Sequence, residues 1–132
     1  MSIRKIMRRP WRAGAALGLL VALLTGLLAS TGLHESLGIA DAVGYLAAAP
    51  IFIFDVVFSA NQAIQWLVLF TWWGAVGAAL GWLVGQGRAG WAVAVLFALT
   101  VMTAHAAARN DIGHTLEGAL RAVEQSVRDS LR

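Results

Sequence analysis

The chain has 132 residues, 59% of them hydrophobic and 13% charged, with a mean hydropathy of +0.72. Soluble domains carry about 25% charged residues, so this composition excludes intrinsic disorder and disfavours a water-soluble enzyme. The formal charge is only +3, and the absence of cysteine removes disulfides, thiolate nucleophiles, zinc fingers and iron–sulfur clusters.

The first element is a basic arm, residues 1–12, holding five of the ten cations: Arg4, Lys5, Arg8, Arg9 and Arg12. Cations beside the start of an apolar run keep that flank cytoplasmic, which predicts a cytoplasmic N-terminus. They also suit the anionic headgroups of that leaflet. A nucleic-acid arm would use the same charges, but no other feature accompanies them, and no nucleic-acid partner is expected.

Residues 13–33 follow as the first predicted span, 21 residues without a charge. At about 1.5 Å per residue this is about 31 Å, enough to cross the hydrocarbon core. The run is too long for a signal-peptide core, and Leu28-Ala29-Ser30-Thr31 is a poor cleavage site, which favours an uncleaved anchor. Trp11 sits at its start, as indoles do at a membrane boundary.

Residues 34–63 form an outer loop containing the apolar segment 42–60. Its length would span, yet Pro50 stands in the middle and Asp55 toward the end. An aspartate at a helix centre costs about 2.5–3.5 kcal/mol on insertion scales. Charge counting pulls the other way. Three spans put six cations inside and four outside, whereas four spans put nine inside and leave Arg88 alone outside. Orientation is set mainly by the first span, so three spans with an interfacial or re-entrant segment is the expectation, and four spans the alternative.

Residues 64–85 and 90–108 are the second and third predicted spans, joined by a turn that permits only an antiparallel hairpin. Trp82 and Trp91 flank that turn at the predicted interface, while Trp72 and Trp73 lie at mid-span, where each indole N–H requires a partner. Asn110, Asp111 and Gly113 predict a break, followed by an amphipathic tail helix over 111–132. There Leu116, Leu120, Val123, Val127 and Leu131 recur at helical spacing. Glu117–Arg121 and Glu124–Arg128 are i,i+4 pairs with the acid first, the favoured order.

Two patterns carry functional weight. Small residues stand four apart in two spans: Gly14, Gly18, Ala22, Gly26 and Ser30 in the first, then Gly77, Gly81 and Gly85 with Gly74 beside them in the second. Such residues share a helix face and allow the close backbone approach by which membrane helices associate. Packing within the chain is expected for one groove, and a partner is plausible for the other. The second pattern is polar. Asp55, Ser59 and Gln62 fall on one face, and His105, preceded by Thr100 and Thr103, lies at a similar membrane level under either topology. An Asp55–His105 pair can carry protons or sense pH, or it can simply pin two helices. His34 and His114 lack a second ligand at metal spacing.

No phosphate loop, dinucleotide fingerprint or nucleophile elbow is present, and no metal or cofactor site is expected. The sequence therefore predicts an all-α integral membrane protein of the bacterial inner membrane. It reads as a non-catalytic accessory, assembly or structural subunit that packs as a homo-oligomer or within a larger membrane complex. The alternative is a small oligomeric pore or proton-translocating protein using Asp55 and His105.

Overall fold

The fold is taken from a computed structural model that describes residues 9–53 and 61–130. Every element among the described residues is helical: α1 Pro10–Thr31, α2 Leu33–Ser36, α3 Ala40–Ile53, α4 Gln62–Val84 and α5 Arg88–Ser130. Three of them, α1, α4 and α5, are long and apolar enough to cross a membrane. The chain is thus an all-helical membrane protein. At 14 residues, about 21 Å, the described part of α3 is shorter than the hydrocarbon core of about 30 Å.

Local chemistry sets the helix limits. Pro10 opens α1, where its missing N–H costs no intrahelical bond. Gly32 closes it at φ 69°, a left-handed position that glycine occupies without a Cβ clash. The Asn61 side chain caps α4 by accepting from the backbone N–H of Ala63 and Ile64. Between α4 and α5 the chain reverses through Gly87 at φ 82°.

The break expected at Asn110–Gly113 is absent, because α5 runs unbroken for 43 residues. Asparagine, aspartate and glycine each cost up to about 1 kcal/mol in a helix interior, and no proline stands at the junction. Tertiary contact offsets that cost. Ile112 packs against Ala48, Ala49 and Ala108, and Arg109 is anchored to Asp41.

Helix α4 is the centre of the molecule. It packs on α1 along nearly its whole length and on α5 through the hairpin, whereas α1 and α5 make no contact among the described residues. Helices α1 and α4 are antiparallel. A Cβ placed on Gly81 would meet Pro10, one on Gly77 would meet Gly14, one on Gly18 would meet Trp73, and one on Gly26 would meet Trp66. Each four-residue step along α1 is matched by a step back along α4, so Thr31 and Asn61 lie at the same end. The buried positions are mostly small, such as Ala22, Ala48, Ala49, Ala94 and Ala108, while Leu17, Leu67 and Leu96 point outward. Lipid solvates leucine as well as protein does, so close backbone approach, not leucine burial, holds the bundle.

Candidate functional site

Side chains from three helices meet around one imidazole. His105 on α5 is fully buried, at 1% exposure. Its Nε2 accepts a hydrogen bond from Trp72 Nε1 of α4 at 3.1 Å, and its Nδ1 lies 2.7 Å from the Tyr45 carbonyl oxygen of α3. An indole N–H only donates and a carbonyl only accepts, so these partners require the neutral tautomer with hydrogen on Nδ1. Aromatic rings enclose the imidazole. The Trp73 centroid is 5.0 Å away, that of Tyr45 5.6 Å and that of Trp72 6.0 Å.

The enclosing rings are themselves anchored. Trp73 Nε1 donates to the Leu46 carbonyl at 3.1 Å, and the Tyr45 hydroxyl donates to the Met102 carbonyl at 2.6 Å. Both mid-span indoles thus have acceptors, and α3 is tied to α4 and α5 through its own backbone carbonyls. Thr100 and Thr103 do not join this network, since each hydroxyl bonds the carbonyl four residues back. No buried side-chain nitrogen or oxygen lacks a partner among the described residues.

Asp55, the expected partner of His105, lies outside the described residues. The His105 nitrogens are both engaged elsewhere, by Trp72 and by Tyr45. Sequence reasoning missed these partners, and it also missed the contact of Arg109 with Asp41. There one guanidinium nitrogen pairs with the carboxylate and the other donates to the Asp41 carbonyl at 2.9 Å. That contact joins the start of α3 to α5. Its two residues are 68 apart in sequence, and no local pattern links them.

The glycine seam has a sharper geometry. A Cβ on Gly14 would stand 2.0 Å from the Gly77 carbonyl oxygen, and one on Gly77 would stand 2.1 Å from that of Gly14. On Gly81 the distance to the Pro10 carbonyl is 2.2 Å, and on Gly18 the distance to that of Trp73 is 1.9 Å. These obstacles are backbone atoms, so no side chain can yield. Gly26 faces the Trp66 ring, Gly74 meets Leu19 at 3.2 Å, and Gly85 meets the Pro10 ring. The two small-residue faces therefore pack on each other, and the groove left for a partner in the sequence reading is occupied by the chain's own helix.

At the end of the bundle where α1 begins and α4 meets α5, Trp11, Trp82 and Trp91 are all exposed, and the Arg12 guanidinium stands 5.3 Å from the Trp11 ring centre. His34 donates from Nδ1 to the Leu28 carbonyl at 2.8 Å, closing the end of α1. Among the described residues no group of three His, Cys, Asp or Glu side chains is arranged to hold a metal.

The chain matches no protein-family model, and no curated protein and no solved structure is significantly similar to it.

Proposed function

We propose that the protein is a non-catalytic accessory or assembly subunit of a bacterial inner-membrane complex. Its N-terminus is cytoplasmic, it crosses three times, and residues 42–60 form an interfacial or re-entrant segment. The antiparallel pairing of α1 and α4 supports that path, because a fourth crossing between them would make the two helices parallel. Charge supports the orientation. Arg9, Arg12 and Arg88 stand at one end, Arg4, Lys5 and Arg8 precede them in sequence, and all seven Asp and Glu fall in 35–55 and 111–129.

The observation that carries the subunit reading is the free arm of α5. From Gly113 onward the helix leaves the bundle by about 26 Å, and Leu116, Leu120, Val123 and Val127 are all exposed along one stripe. Each such side chain gains about 1.5–3 kcal/mol on full burial, so a helical stripe outside the bilayer is suited to a protein partner. The Glu117–Arg121 and Glu124–Arg128 pairs occupy the flanking surface and keep it soluble. At His105 the two committed nitrogens and the aromatic enclosure favour a structural role over proton carriage.

The test compares native mass in mild detergent for the wild type and a Leu116→Glu/Leu120→Glu variant. Co-migration with a defined larger complex, lost in the variant while membrane insertion persists, is the expected result. A symmetric homo-oligomer that conducts protons in liposomes would overturn the accessory reading in favour of a pore.

A further inference from the structure

Beside the glycine seam, α1 and α4 leave an open groove of about 490 Å³, within the range of about 300–1,000 Å³ typical of ligand pockets. Its lining is overwhelmingly apolar. Leu17 and Val21 form one wall, Val76 and Leu80 the other, and Pro10 and Val84 close the end nearest the helix start. From Pro10 to Val21 the groove extends about 17 Å along α1, close to the depth of one leaflet of a core about 30 Å thick. At the same end of the bundle stand Arg9, which directly precedes Pro10, and Arg88, just beyond the α4 terminus. Both are exposed, and neither forms an ion pair with a carboxylate among the described residues.

A depression one leaflet deep with cations at its rim has two chemistries, one apolar and one anion-seeking. We infer that the groove is a binding site for one anionic phospholipid, with an acyl chain along Leu17, Val21, Val76 and Leu80 and the phosphate held by Arg9 and Arg88. The cations supply headgroup selectivity, and the groove supplies chain retention. A free phosphate anion satisfies only the rim, and a transmembrane helix of a second copy satisfies only the walls. A phospholipid of negative charge satisfies both. The site lies at the end of the bundle opposite the α5 arm, so it stands or falls separately from the subunit reading.

Native mass spectrometry of the full chain in mild detergent tests this, using phosphatidylglycerol and phosphatidylcholine with identical acyl chains. One phosphatidylglycerol is expected to be retained at least tenfold better than phosphatidylcholine. Neutralising Arg9 and Arg88 to Gln is expected to lower that preference by about fivefold per charge. Filling the groove with Leu17→Trp, at a side chain 64% exposed and so free of the helix seam, is expected to release the lipid. On the unaltered protein, retention should fall as the acyl chains are shortened, and inorganic phosphate should not displace the lipid. Equal retention of the two lipids, indifference to chain length, or displacement by phosphate would overturn the assignment. Recovery of a lipid-free dimer through this groove would do the same.

Discussion

Glycine has opposite consequences at two positions of this chain. At Gly14 a single methyl group would collide with a backbone carbonyl of the facing helix, so Gly14→Ala forces α1 and α4 apart. At Gly113 nothing lies within 4 Å, and alanine there removes the conformational freedom that glycine carries into a helix. Thermal unfolding in detergent should show Gly14→Ala destabilised by about 1–3 kcal/mol and Gly113→Ala stabilised by about 0.5–1 kcal/mol. His105 permits a similar contrast. Trp72→Phe keeps the ring but withdraws the donor to Nε2, for an expected loss of about 0.6–2 kcal/mol. His105→Ala also opens a void among the rings and should cost about 2–4 kcal/mol. Nitrogen NMR of the wild type should find hydrogen on Nδ1. Hydrogen on Nε2 would contradict the Trp72 bond.

At the scale of the element, α5 is the main departure from expectation. Asn110, Asp111 and Gly113 read as a break because they are weak helix formers. Their summed penalty is nevertheless small beside the contacts of Ile112 and Arg109, and those partners lie about 65 residues away in sequence, on α3. Periodicity reports a helix's own faces, not what a distant helix will offer them. For the same reason the small-residue faces of α1 and α4 were legible one by one, whereas their mutual register was not. The Trp72–His105 and Tyr45–Met102 bonds likewise join residues that carry no shared motif. The three long apolar helices were legible, since length and the absence of charge suffice for that. The continuity of α5 can be measured directly. Spin labels at Ala104 and Gln125 should report a narrow distance near 32 Å, as for about 21 helical residues. A broad, shorter distribution would restore the break.

At the scale of the whole molecule, charge and architecture agree. Arg9, Arg12 and Arg88 stand at the end where α1 begins and α4 meets α5, Arg4, Lys5 and Arg8 precede them in sequence, and every carboxylate of the sequence falls in segments that follow α1 or leave α5. Because the chain has no native cysteine, a single cysteine at Gln125 reports its side of the membrane without background. A membrane-impermeant thiol reagent applied to spheroplasts should label Gln125→Cys, while a cysteine at Ser2 remains protected. Protection of both would place the C-terminus inside and reinstate four crossings. The central position of α4 also has a consequence in time. Helix α1 touches α4 but not α5, so its glycine face has no long partner until α4 has been synthesised. Roughly fifty residues separate the end of α1 from the end of α4, which at about 5–20 residues per second is a wait of several seconds. During biogenesis the first span is therefore a solitary helix with an unsatisfied seam. Other nascent spans, or a membrane chaperone, compete for that seam before α4 arrives.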